Sequence, residues 1–205
     1  MSEALSPTRR GALGAAVAGA LGLGGWWAGR AKRRPREMTL RPPGALPEGA
    51  FEDACTRCFE CGSACPNNCI SFHGLRAGLS KAFTPFIKAR ERGCTLCGEC
   101  ATACPTGALK PFTPDREGWV AGVAMGKARV DQSQCYSYAG RTCGACYRAC
   151  PLAGQALLIG VYETPRIDPR FCVGCGLCEQ SCLHVPQAIR VVPAEVLAER
   201  SEREA

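Results

Sequence analysis

Histidine is almost missing from this sequence: His73 and His184 are the only two in 205 residues. Neither stands in a pairing pattern, which argues against the usual Cys/His zinc sites. Aromatic residues make up 7%, and beyond the first thirty residues Ile, Val, Leu and Phe are thin as well. A chain so short of large side chains cannot lean on a big apolar core, so cross-links or metal must supply part of its stability. There is no nucleophile–base set, no phosphate loop and no dinucleotide fingerprint, and no catalytic activity of its own is expected. A dominant charge is missing too. The formal net charge of +7 comes from the first 36 residues, where Arg9, Arg10, Arg30, Lys32, Arg33, Arg34 and Arg36 face only Glu3. From Glu37 onward 18 basic residues meet 17 acidic ones. Nucleic-acid binding needs a basic patch or stripe, and none is present.

What the sequence has instead is cysteine, seventeen of them. They fall into four groups. The first is CTRCFECGSACP (Cys55, Cys58, Cys61, Cys65), and the second is CTLCGECATACP (Cys94, Cys97, Cys100, Cys104). The third is CYSYAGRTCGACYRACP (Cys135, Cys143, Cys146, Cys150), with seven residues where two are expected. The fourth is CVGCGLCEQSC (Cys172, Cys175, Cys178, Cys182). Only Cys69 is left over.

The spacing Cys-x2-Cys-x2-Cys-x3-Cys-Pro is the bacterial-type [4Fe–4S] signature, in which the fourth cysteine ligates the other cluster of a pair. Three thiolates from one tight loop wrap three irons, and a distant segment closes the fourth corner. Gly98, Gly144, Gly174 and Gly176 let the backbone pass close to the sulfides. Proline after the fourth cysteine turns the chain away from the metal. A disulfide framework would not demand this spacing repeatedly, and zinc sites usually take two pairs across a longer gap. All sixteen grouped cysteines are therefore candidate iron ligands, and four [4Fe–4S] clusters are the expected cofactors. ARVDQSQ, PRIDPRF, GALKPF, ALLIGVY and AIRVV read as short strands bracketing the loops.

Residues 1–36 read as a targeting segment. Arg9-Arg10 precedes an uncharged run from Gly11 to Gly29, which resembles a twin-arginine export signal. Thr8, Arg9, Arg10 and Leu13 fit that pattern, whereas Ala12 and Gly14 replace the usual Phe and Lys. The alternative is a membrane anchor, since residues 11–29 could just span a ~30 Å hydrocarbon layer. Trp26 and Trp27 suit the interface at its end. Cleavage against retention stays open. The twin-arginine route carries folded proteins, so clusters could be inserted in the reducing cytoplasm before export.

From LRPPGALPEGAFEDACTRC (Leu40 to Cys58) through CPTGAL, VDQSQCYSYAGRTCGACYRACP and CVGCGLCEQSCLHVPQAI, the chain resembles the NapG/MauM family of periplasmic ferredoxins. The likeness runs from Leu40 to about Pro193. It implies that Cys135 is still a ligand and that YSYAGRT is a tolerated insertion. The regular second group departs from NapG, and Leu183-His184 replaces the proline of the fourth. The family implies an electron carrier in the periplasm. Its donor would be a membrane quinol-oxidising iron–sulfur protein and its acceptor a periplasmic cytochrome or reductase. Alternatives are an iron–sulfur subunit of an exported molybdoenzyme or hydrogenase, and a maturation factor for a periplasmic redox enzyme.

The expected fold is α+β, two ferredoxin-like [4Fe–4S] modules packed together. Residues 1–36 are the signal or anchor, 37–54 a linker, 55–192 the four-cluster domain and 193–205 a charged tail. Pairing of the groups is open between adjacent (one with two, three with four) and nested (one with four, two with three). Similarity of the second and third groups to four-cluster molybdoenzyme subunits favours the nested form. Cys69 reads as a small buried apolar residue, with a substitute ligand as the alternative. Tyr136, Tyr138 and Tyr147 exclude water beside the third loop, Tyr136 and Tyr138 being candidates for docking. His184 is a hydrogen-bond donor near the fourth. Four clusters would add about −8 to a near-neutral body and call for a partner with a basic face.

Overall fold

The computed structural model describes residues 40–198, so the expected leader at residues 1–36 lies outside the described residues. Two halves repeat one plan: a cysteine loop with a short helix, a hairpin, then a second loop with a short helix. The first half holds α1 (Glu48–Ala54), α2 (Glu60–Ser63), β1 (Ile70–Phe72), β2 (Pro85–Ile87) and α3 (Glu99–Thr102). After α4 (Arg116–Gly122) the second half runs β3 (Gly126–Val130), α5 (Ala145–Ala149), β4 (Leu157–Ile159), β5 (Pro165–Ile167), α6 (Leu177–Gln180) and β6 (Ile189–Pro193). This mixed helix and strand architecture agrees with the α+β expectation.

Three antiparallel pairs hold the frame. β1 pairs with β2 in register Ile70↔Ile87, and β4 with β5 in register Leu157↔Ile167. β3 and β6, the first and last strands of the second half, close it from Gly126↔Pro193 to Val130↔Ile189. Among their buried residues Ala128 is small and Ile189, Val191 and Val192 are β-branched, as a tightly packed pleated surface favours. Strands were legible in ARV, PRI, LLI and IRVV. GALKPF makes only one bridge, Ala45↔Leu109, because Pro42, Pro43 and Pro47 opposite and Pro111 in the segment itself offer no ladder donors. The expectation did not include the ISF and PFI strands (Ile70–Phe72 and Pro85–Ile87).

Residues 40–54 are not a linker. Leu40 N–H donates to Ile87 O at 3.0 Å and Ile87 N–H returns to Leu40 O at 2.7 Å. Arg41 reaches from this segment to Glu48 Oε2 (2.9 Å), Thr84 Oγ1 (2.8 Å) and Pro85 O (2.9 Å). Its guanidinium lies 4.6 Å from the Phe51 ring centroid, and Phe51 is fully buried. Gly44 must be glycine: its φ is +77°, and a Cβ there would lie 2.2 Å from Lys110 O. The Pro/Gly-rich composition that reads as a linker is instead a strap fitted against the first half. The expected tail also begins inside the fold. β6 includes Pro193, Ala194 N–H donates to Met125 O at 3.1 Å, and Glu195 pairs with Lys81 at 3.7 Å.

One apolar cluster runs through both halves, joining Leu40, Ile87 and Leu96 to Val123, Leu152, Val173 and Val191. Burying each such side chain is worth about 1.5–3 kcal/mol. Between these residues the cluster is filled by cysteine sulfur, Cys65, Cys69, Cys94, Cys172, Cys175 and Cys178 among them, where an ordinary core would hold hydrocarbon. Among the described residues, no helix is long and apolar enough to cross a membrane.

Candidate iron–sulfur sites

Each loop is bent by left-handed residues beside its second cysteine. Gly98, Gly144 and Gly176 have φ of 82°, 54° and 84° and start α3, α5 and α6. Phe59, φ 68°, does the same for α2. One residue before the second cysteine stand Arg57 (60°), Leu96 (61°) and Gly174 (77°). These reversals curl three cysteines around one centre. Gly174 has a further reason to lack a side chain, since a Cβ would meet Gly126 N at 2.5 Å. In the third loop the insertion replaces the first reversal, and among the described residues only Gly144 of the pair remains left-handed there.

The sixteen thiols gather in four sets, and in every set the fourth member comes from the adjacent loop. Cys55, Cys58, Cys61 and Cys104 line one cavity (set one). Cys65, Cys94, Cys97 and Cys100 line another (set two). Cys135, Cys143, Cys146 and Cys182 line a third (set three). Cys150 stands with Cys172, Cys175 and Cys178 as set four. Groups one and two therefore pair with each other, as do three and four. The nested arrangement is not what the fold builds, because each half closes on itself through its own first and last segments before the other is reached.

Burial, followed by the neighbouring thiols of its own set, raises Cys61 to about 12, and burial raises Cys175 to about 12 as well. Cys178 is pushed well up by burial and by Cys175 and Cys172. Thiols crowded this way release their protons only to a strong positive partner, which is what a metal cluster supplies. Backbone donors are already aimed at sulfur: Leu96 N–H lies 3.3 Å from Cys94 Sγ and Ala128 N–H 3.4 Å from Cys172 Sγ. Among the described residues no three His, Cys, Asp or Glu converge as one metal ion would need. The thiols of sets one, two and three stand around cavities instead. Four sulfurs about a cavity, with amides directed at them, fit a [4Fe–4S] cluster.

Sets two and four meet at a seam between the halves. Cys94 N–H donates to Cys175 O at 2.7 Å. Gly93 N–H donates to Gln180 Oε1 at 2.9 Å, and Gly93 O accepts from Asn67 Nδ2 at 2.8 Å. A Cβ on Gly93 would fall 2.7 Å from Leu177 N. In these two sets all but Cys97 and Cys150 are buried, whereas in set three all four are half-exposed and in set one Cys58 is exposed.

The inserted YSYAGRT loop is folded back rather than loose. Tyr138 Oη donates to Pro165 O at 3.1 Å, Ser137 is buried, and Arg148 donates from Nη2 to Cys143 O. Tyr136 packs edge-on against His184 at 5.1 Å. His184 Nδ1 lies 2.7 Å from Pro186 O, as a donor should. Its ring, however, borders the cavity of set three, because Cys182 crosses from the fourth loop to close that set.

A family model described as a 4Fe-4S dicluster domain matches residues 54–108 and again 93–154. The methylamine utilization ferredoxin-type protein MauM of Methylobacillus flagellatus is 38% identical over 176 residues, 82% of this chain and 74% of that protein. The ferredoxin-type protein NapG of Escherichia coli K12 is 38% identical over 191 residues, 87% of this chain and 79% of NapG. This chain belongs to the NapG/MauM ferredoxin-type family. As a member it is an iron–sulfur, ferredoxin-type electron-transfer protein. The second dicluster match joins loops two and three, whereas the thiols of loop three close with loop four. Reading cysteine spacing finds the sixteen candidate ligands but neither the loop that supplies each set's fourth member nor Arg57, Phe59 and Leu96, which take a glycine's conformation without being glycine.

Proposed function

We propose that this chain is a periplasmic electron carrier holding four [4Fe–4S] clusters, one in each thiol set, arranged as a relay. When bound, such clusters take up and release single electrons at potentials set by burial and hydrogen bonding. The observation that supports a relay is the seam: two buried sets face each other through Cys94 and Cys175, at 2.7 Å between amide and carbonyl. The order along the path is set one, set two, set four, set three. Cys58 at one end, and Cys135, Cys143, Cys146 and Cys182 at the other, are solvent-accessible, so the two outer sets are the points of exchange with partners. Leu96 and Val173 are buried in the same cluster as the cysteines of the interior sets.

The donor in this reading is a membrane-bound quinol-oxidising iron–sulfur protein and the acceptor a periplasmic cytochrome or reductase. What supports it is family membership together with the Arg9-Arg10 leader. Residues 11–29 either are removed on export or hold the carrier at the membrane.

Anaerobic purification followed by iron, sulfide and EPR analysis tests the cluster content. About sixteen irons per chain, with interacting reduced clusters, is the expected result. Zinc, or half that iron, overturns the four-cluster reading. Membranes containing the donor should reduce the protein on addition of quinol, and failure to do so removes that donor.

A further inference from the structure

Each of the four loops is followed, at its entry into a strand or bridge, by a small residue and an aliphatic one: Cys69-Ile70, Ala108-Leu109, Ala156-Leu157 and Ala188-Ile189. All four small residues are buried. Ala108 and Leu109 line the cavity of set one, and Ala188 and Ile189 line that of set three. Cys69 and Ile70 line the cavity of set two in the same way. The fold therefore puts a wall residue at one equivalent place in each of these cavities, alanine in two of them and cysteine in the third. Of these three cavities, that of set two is lined by five thiols and the other two by four.

Cys69 does not merely fill space. Its Sγ is 3.6 Å from Cys65 Sγ, and it lines the same cavity as Cys94. It is 5% exposed, so neither solvent nor a partner protein competes for it. Cys65 is the one ligand of set two that comes from the other loop, at the end of α2, whereas Cys94, Cys97 and Cys100 share a loop with each other. A thiol beside that corner, and on the same strand-entry segment, is within a small displacement of taking its place.

We propose that Cys69 is a reserve iron ligand for set two, able to take over the corner held by Cys65. This rests on the four-cluster reading above. The exchange breaks one iron–sulfur bond to Cys65 and makes one to Cys69. The proton leaving the Cys69 thiol ends on Cys65, so no oxidant or reductant is consumed. Set two thereby tolerates loss or oxidation of one ligand where set one, walled by Ala108, does not.

Single-ligand variants of the full chain, purified anaerobically and assayed for iron and by EPR, test it. Wild type establishes the four-cluster baseline, and its failure there counts against the proposed function rather than against Cys69. Cys65→Ser is expected to keep the wild-type iron content with one shifted EPR signal. Cys104→Ser, at the equivalent corner of set one, loses about four irons. Cys65→Ser/Cys69→Ser also loses about four, while Cys69→Ala alone keeps them all. Transplanting the thiol should restore the lost iron, so Cys104→Ser/Ala108→Cys regains its cluster. Equal iron loss in Cys65→Ser and Cys104→Ser, or failure of both Cys65→Ser and the transplant to give holo-protein, overturns the proposal.

Discussion

The amide of Cys94 donates to the carbonyl of Cys175 across 2.7 Å, and with the bond from Gly93 N–H to Gln180 Oε1 it ties a loop of the first half to a loop of the second. Around it the backbones approach so closely that Gly93 cannot carry a side chain without meeting Leu177 N at 2.7 Å and Gly176 C at 2.9 Å. These are main-chain atoms, which cannot swing aside. Gly93→Ala should therefore force the seam apart, costing about 1–3 kcal/mol as overpacking does. Thermal unfolding measures that loss. Electron passage between the halves should slow as well, visible as reduced clusters accumulating on the donor side in rapid-mixing experiments. An unchanged Tm together with unchanged kinetics would show that the seam yields.

Adjacent pairing makes a strict statement about variants in the second half. Cys135 and Cys182 belong to one set, so Cys135→Ser and Cys182→Ser should perturb the same EPR signal. Combining them should lose no more iron than either alone, about four atoms. Cys150→Ser should instead perturb the signal that Cys172→Ser perturbs. Loss of about eight irons in the Cys135/Cys182 double variant would sink this assignment.

Burial pushes Glu48 up, but hydrogen bonds and charge from Arg41 and Lys81 outweigh it and bring its carboxyl down to about 2. Lys81 Nζ is 2.8 Å from Glu48 Oε1. A carboxyl lowered on folding stabilises the fold above its ordinary value, here 4.5, and that contribution fades as pH falls towards about 2. Glu48→Gln should cost about 1–3 kcal/mol at neutral pH. The Tm gap between the two proteins should then narrow with acidification through that window. A gap constant with pH would show that the charge on Glu48 is not what holds the strap.

Tyr138 anchors the inserted loop through Pro165 O at 3.1 Å. Tyr138→Phe removes only that bond and should cost about 0.5–1.5 kcal/mol, with cluster content unchanged. Deuterium exchange across residues 136–142 should rise at the same time. If exchange stays at the wild-type level, the loop is held by Ser137 and Arg148 instead.

With four clusters bound, about −8 is added to a body whose side chains nearly cancel. Reduction of a basic partner should then slow by roughly tenfold or more as salt screens the attraction. Stopped-flow rates across a salt series give the slope, and a flat series would rule out charge-guided docking.

The four cysteine loops were legible because a cluster loop is a local object, readable from spacing alone. Cys135 could be included on its place in the repeat despite the insertion. Pairing was not legible, because it depends on which strands close each half, and β3 with β6 are joined across nearly the whole second half. The strap at residues 40–54 was misread for a related reason. Pro42, Pro43 and Gly44 look like loop, and only the long-range partners of Leu40 and Arg41, Ile87 and Thr84, reveal them as structure. The role of Cys69 needed both levels. The sequence offered the fourfold Cys/Ala position, and the 3.6 Å approach to Cys65 gave it a chemical meaning.

Lys81 touches Glu48 near the start of the folded body and Glu195 near its end, at 2.8 and 3.7 Å. Beginning and end thus lie side by side, while the exposed stretch at Thr113 to Asp115 is the stitch between halves. A circular permutant, joined near Lys81 and opened at that stitch, would place the second half before the first with every thiol set left whole. The order in which the halves are written along the chain is thus separable from the contacts that hold them together.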